Sequence, residues 1–126
     1  MGSAYMKKLG FIGMGNMAQA LAMGFINAKA IAKENVYAYA PHQEKLLKNA
    51  ETIGFTPVAT LKDLARSVDT LVMACKPYQI EAVINELGKA LEDKALISIA
   101  AGWDIAKYRQ FITTNTRLQF IMPNTP

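Results

Sequence analysis

Short apolar runs alternate with helix-patterned runs along nearly the whole chain, and that alternation leaves few folds open. Lys8 to Gly13 carries a continuous apolar run closed by glycine, as a strand covered on both faces would. Met17 to Asn27 then sets Leu21, Phe25 and the small Ala18 and Ala22 at helical spacing. Asn35 to Ala40 reads as a second strand, and Pro41 to Ile53 as a helix with proline in its first turn and Gly54 as its stop. Thr56 to Ala59 is a short third strand, and Thr60-Leu61-Lys62-Asp63 has the spacing of a capping box opening a short helix. Asp69 to Cys75 is the strongest strand, broken by Lys76-Pro77. Tyr78 to Leu91 follows as one helix with Ile80, Val83, Ile84, Leu87 and Leu91 on a single stripe. Ala95 to Ile99, a turn at Ala100 to Gly102, a helix from Asp104 to Ile112 and a strand from Arg117 to Ile121 complete the series.

Strand-helix units in succession require right-handed crossovers and a mainly parallel sheet. The expected fold is α/β, doubly wound, with helices on both faces of six strands in the order 3-2-1-4-5-6. With 126 residues, 52% of them hydrophobic and 19% charged, the chain fits one domain with a substantial core and is not a disordered sequence. The leader MGSAY reads as a tag remnant, so residues 6–126 are taken as the domain.

Gly13-Met14-Gly15-Asn16-Met17-Ala18 is G-x-G-x-x-A, directly after the first strand and directly before the first helix, which is the context a dinucleotide fingerprint requires. Gly13 permits a tight turn, Gly15 lets the backbone approach a diphosphate, and Ala18 lets helix and strand pack closely. Free N–H groups at the helix start would face the phosphates. A tight turn chosen only for packing is the bland alternative, which the strand-loop-helix context disfavours. An NAD site would carry an acid about twenty residues after the glycines, at the end of the second strand. Here the chain reads Tyr39-Ala40-Pro41-His42-Gln43, so NADP is favoured over NAD, with His42, Gln43 or Lys45 able to meet a 2′-phosphate.

Ligands in such sheets lie at the carboxyl ends of the strands. Ala74, Cys75, Lys76 and Pro77 stand there after the fourth strand, and Ala100, Ala101 and Gly102 after the fifth. Met122, Pro123 and Asn124 follow the sixth, in a loop stiffened by two prolines. The net charge of +4 comes from singly scattered Lys and Arg, so no nucleic-acid partner is expected. A single cysteine excludes a disulfide framework and favours a cytoplasmic setting. Cys75 reads as a small buried hydrophobe, since the only histidine, His42, lies in another segment. No apolar stretch approaches the ~20 residues of a membrane span, and no metal ligand set is apparent.

FIGMGNMAQAL (Phe11 to Leu21), VMACKP (Val72 to Pro77), SIAAG (Ser98 to Gly102) and MPNTP (Met122 to Pro126) together resemble the amino-terminal half of the pyrroline-5-carboxylate reductases. The pair SIAAG and MPNTP separates that family from β-hydroxyacid dehydrogenases sharing only the glycine loop. The resemblance implies a Rossmann-type domain that takes part in reducing 1-pyrroline-5-carboxylate to L-proline with NADPH, or NADH. It implies that Gly13, Met14, Gly15, Asn16 and Met17 hold the diphosphate and Ala40, Pro41 and His42 the adenosine ribose or its phosphate. Ala74 to Pro77 and Ala100 to Gly102 would line the nicotinamide half, with Met122 to Asn124 near the ring. The catalytic proton donor would lie in a helical dimerisation domain beyond this chain, and the whole protein would be a homodimer or larger oligomer. The chain departs from the family pattern at Leu61, often Asn, at Lys29, often Gly, and at Ala40-Pro41, where a Ser is common. Another reductase of the same superfamily, or a non-catalytic dinucleotide-binding module, remains an alternative.

Overall fold

A computed structural model of the chain describes residues 7–100, 102–113 and 115–121. Six strands form one sheet: β1 (Leu9–Ile12), β2 (Val36–Tyr39), β3 (Thr56–Pro57), β4 (Thr70–Met73), β5 (Ala95–Ser98) and β6 (Arg117–Phe120). Their order is β3-β2-β1-β4-β5-β6, and every neighbouring pair is parallel. The helices between them are α1 (Asn16–Asn27), α2 (Gln43–Ile53), α3 (Leu61–Ser67), α4 (Ile80–Leu87) and α5 (Ile105–Arg109). The order is the one the alternation predicts. The chain winds outward from β1 to β3, returns through α3 to β4 beside β1, and winds outward the other way.

That reversal splits the core in two. On one face Leu9, Phe11, Val36, Ala38, Val72 and Ile97 pack with Ala18 and Ala22 of α1 and Leu46 of α2. On the other, Ile12, Leu71, Met73 and Leu96 meet Leu64 of α3, Ile80 and Ile84 of α4, and Tyr108 of α5. Both central strands, β1 and β4, are buried at every position, which is why they read as unbroken apolar runs. Gly10 stands within β1 for a steric reason: a Cβ there would come within 2.9 Å of Leu64 Cδ1, so α3 lies directly on the strand.

The strands are shorter than the sequence expectation, β3 ending at Pro57 and not at Ala59, and several helix boundaries differ as well. The helix expected over Tyr78–Leu91 is three pieces, a 3-10 turn at Pro77–Gln79, α4, and a second 3-10 turn at Gly88–Leu91. Gly88, at φ +51, is where the α-helix stops, yet the apolar stripe survives the break, with Ile80, Ile84, Leu87 and Leu91 all buried. Helix α2 begins after His42 instead of taking Pro41 into its first turn, and it ends, as expected, at a left-handed Gly54. Helix α5 is shorter than Asp104–Ile112: it starts one residue later, because Asp104 caps it from outside by accepting the Lys107 N–H at 2.9 Å, and it ends at Arg109, with Gln110 as its C-cap. At α3, Thr60 accepts the Asp63 N–H at 3.0 Å, which is half of the expected box, while the Asp63 carboxylate lies 3.7 Å from Arg66.

Candidate functional site

The carboxyl ends of five strands stand in register. Tyr39, Ile12, Met73, Ser98 and Phe120 are neighbours across successive ladders, so the segments that follow them leave the sheet along one edge. The expected site residues that the structure describes all belong to those segments.

Between Ile12 and Asn16 the chain turns from strand to helix in three residues. Gly13 takes φ +97, and a Cβ there would sit 2.9 Å from the Ala74 carbonyl oxygen, so both backbone and space require glycine. Its N–H donates to the Tyr39 carbonyl at 2.7 Å, and the Ala74 N–H donates to the Ile12 carbonyl at 2.9 Å. The loop is thereby stitched to β2 on one side and β4 on the other, at the point where the winding reverses and a crevice is expected.

Gly15 differs. Its backbone is extended, at φ −77 and ψ −171, and a Cβ there would meet nothing within 4 Å. Among the described residues, neither conformation nor any neighbour demands glycine at this position. The adjoining end of α1 fits an anion: among the described residues no side chain caps it, and its first turn contains no acid. Asn16 and Met17 are exposed there, whereas Met14 is buried and offers only its main chain. Ala18, also buried, lets α1 lie close to the sheet. Gln19 lies outside the G-x-G-x-x-A motif in the sequence. Its side-chain amide donates to the Met14 carbonyl at 3.0 Å and fixes the loop from one turn into the helix, a contact that a polar residue just after the motif signals only weakly.

The flanking segments carry the other expected residues. Ala40 accepts from the Gln43 amide at 2.8 Å, Pro41 and His42 are exposed, and His42 is the residue just before α2. Beyond β4, Ala74 and Cys75 are half-buried, and burial pushes the Cys75 thiol up to about 11. The Lys76 N–H donates to the Gln79 side chain at 3.1 Å, leaving the lysine chain and Pro77 exposed. Beyond β5, Ala100 is half-buried and Gly102 is exposed at φ +86. Ala101, Met122, Pro123 and Asn124 lie outside the described residues.

An open cavity of about 610 Å³ occupies the ends of β5 and β6, lined by Ala100, Gly102, Trp103, Asp104, Ile105 and Phe120 among others. Trp103, which belongs to no motif in the sequence, is buried beside this cavity. It packs on Tyr108 with ring centroids 5.0 Å apart, and the Lys107 ammonium stands 4.7 Å from its ring centroid. Among the described residues no three His, Cys, Asp or Glu side chains gather as a metal site, and no helix is long and apolar enough to cross a membrane.

The family model described as NADP oxidoreductase coenzyme F420-dependent matches residues 8–102. A pyrroline-5-carboxylate reductase of Treponema pallidum is 34% identical over 122 residues, which cover 94% of this chain and 46% of the relative. Among solved structures, the pyrroline carboxylate reductase of Plasmodium falciparum with NADP bound superposes with a TM-score of 0.82 at 36% identity, covering 95% of this chain and 43% of that one. The pyrroline-5-carboxylate reductase of Coxiella burnetii gives 0.86 at 29% identity, over 95% of this chain and 45% of that one. The chain thus spans about half the length of the curated relatives it matches.

Proposed function

The chain belongs to the NADP oxidoreductase coenzyme F420-dependent family, and from that premise we propose that it is the dinucleotide-binding half of a pyrroline-5-carboxylate reductase. The carrying observation is Gly15: open space where a side chain would stand, next to an uncapped helix start, in a loop stitched to β2 and β4.

In this reading the main-chain N–H groups from Gly13 to Met17 hold the diphosphate of NADPH, or NADH, with the dipole of α1 behind them. Ala40, Pro41 and His42 border the adenosine ribose, with the exposed Lys45 and Gln43 near enough in sequence to favour a 2′-phosphate. Ala74, Cys75, Lys76 and Pro77, with Ala100, Ala101 and Gly102, border the nicotinamide half, and Met122, Pro123 and Asn124 lie toward the ring. When bound, the reduced nicotinamide supplies a hydride equivalent for the C=N carbon of 1-pyrroline-5-carboxylate, and a proton on nitrogen completes L-proline. The work of these residues is orientation and exclusion of water, where effective concentration contributes up to roughly 7–11 kcal/mol. Proton delivery, the closing of the imine site and homodimer formation are assigned to a helical part that this chain does not span. The setting is cytoplasmic, in keeping with one unpaired cysteine.

Proline formation from pyrroline-5-carboxylate and NADPH tests the assignment. Residues 1–126 alone should bind NADPH without turnover, and turnover should appear when a carboxyl-terminal half is supplied and the two reassociate. Vigorous proline formation by residues 1–126 alone would put the catalytic centre in this chain. Failure of the completed protein to make proline would remove the substrate assignment.

A further inference from the structure

One residue of α1 takes two consecutive carbonyls of the glycine loop. The Gln19 side-chain amide donates to the Met14 carbonyl at 3.0 Å, and the Gln19 main-chain N–H donates to the Gly15 carbonyl at 2.9 Å. Gln19 is half-buried and Met14 is buried at 7% exposure, so water competes poorly for the first of these bonds. Helix α1 is itself fixed beneath Gln19, because Ala18 and Ala22 are buried against the sheet.

The consequence lies at the other end of each peptide unit. In a trans peptide the C=O of one residue and the N–H of the next point in opposite directions, and the described residues contain no cis peptide bond. A Met14 carbonyl facing Gln19 therefore turns the Gly15 N–H away from Gln19, and the Gly15 carbonyl does the same to the Asn16 N–H. The second bond is a main-chain helical bond that any non-proline residue at position 19 could make. The first depends on the side chain. Without a Cβ, Gly15 accepts positive and negative φ almost equally, so the Met14–Gly15 unit has little reason of its own to keep its N–H on one side. Among the described residues nothing accepts the Gly15 N–H, which leaves that donor open to a ligand.

We propose that Gln19 is a positioning residue for the cofactor diphosphate, holding the Met14–Gly15 peptide so that the Gly15 N–H faces the bound anion. This rests on the reading above, in which the main-chain N–H groups of this loop hold the diphosphate. In the same reading the adenosine ribose and its phosphate border Ala40 to His42, past the end of β2. The β2 side of the loop is anchored independently of Gln19, by the Gly13 N–H on the Tyr39 carbonyl at 2.7 Å. Loss of the Gln19 amide therefore weakens the grip on the diphosphate and leaves the ribose-phosphate end as it is.

Titration of the wild type, Gln19→Met and Gln19→Lys with two probes separates positioning from mere stability. The probes are NADPH and adenosine 2′-monophosphate, which carries the ribose phosphate and no diphosphate. Methionine has the length and helix propensity of glutamine but cannot donate, whereas lysine keeps a donor at the end of an equally helix-compatible chain. In Gln19→Met the NADPH dissociation constant should rise about tenfold, as when the competent orientation falls to a tenth of the population. In Gln19→Lys, at high salt so that the added charge is screened, it should stay near the wild-type value. The monophosphate constant and the melting temperature should stay near wild type in both. Gln19→Leu repeats the loss of the donor should Gln19→Met fail to fold. Unchanged NADPH affinity without the donor, a Gln19→Lys as weak as Gln19→Met, or equal weakening of both probes would overturn the role of Gln19. A wild-type chain that binds neither probe would instead overturn the dinucleotide reading, and this inference with it.

Discussion

Replacing Lys29 by glycine should stabilise the chain, although it deletes a side chain and lies away from the site. Lys29 follows the end of α1 at φ +59, a left-handed conformation that disfavours any residue with a Cβ. The geometry is that of a Schellman cap: the Ala30 N–H donates to Phe25 at 2.9 Å and the Lys29 N–H to Ile26 at 3.0 Å, and the position Lys29 fills is the one where glycine is preferred. Relief of the left-handed strain contributes roughly 1–2 kcal/mol. The extra freedom glycine gives the unfolded chain takes back about 0.5–1 kcal/mol. A net gain of about 0.5–1 kcal/mol corresponds, for a domain of this size, to a rise in melting temperature of roughly 2–5 °C. Calorimetric or circular-dichroism melts of the wild type, Lys29→Gly and Lys29→Ala provide the comparison. Alanine keeps the strain, so Lys29→Ala should not share the gain. A glycine variant melting at or below the wild type, or an alanine variant matching it, would refute the reasoning.

Two further outcomes follow from the site. The Cys75 thiol, pushed up to about 11, stays protonated through neutral pH. Its alkylation at pH 8 should therefore be about a hundredfold slower than in the unfolded chain, with the difference closing as pH approaches 11. Because the folded-state value is the higher one, stability is unaffected by this group below about pH 9 and declines as pH rises from there through 11. Equal alkylation rates in the folded and unfolded chain would show the thiol is not buried as described. Gly13→Ala combines a residue at φ +97 with a Cβ 2.9 Å from the Ala74 carbonyl, so it should lose about 2–4 kcal/mol by urea unfolding. A wild-type midpoint would mean the loop is not held as tightly as its contacts imply.

The doubly wound order could be read from the chain because parallel strands buried on both faces leave unbroken apolar runs, and crossovers have one hand. Leu9–Ile12 and Thr70–Met73 are the clearest cases, each buried at every position. The glycine loop was legible for a similar reason, since a positive φ at Gly13 is a local demand that only local sequence can meet. What depends on contact between distant segments left little trace. Gly10 is explained by Leu64, the anchoring amide of Gln19 by the Met14 carbonyl, and Tyr108 by Ser98 and Trp103. The stripe from Ile80 to Leu91 gave the right burial but the wrong continuity, because the hydrophobic period does not register a break at Gly88 that keeps the same face inward.

If Gly15 serves a ligand and not the fold, calorimetric titration of NADPH into the wild type and Gly15→Val shows it most directly. With nothing within 4 Å of the added Cβ and an extended backbone, the variant should fold with a melting temperature close to that of the wild type. Its branched side chain would fill the approach to the start of α1, so the heat of NADPH binding seen with the wild type should vanish. A folded Gly15→Val that binds NADPH as the wild type does would contradict the assignment of the diphosphate to this loop.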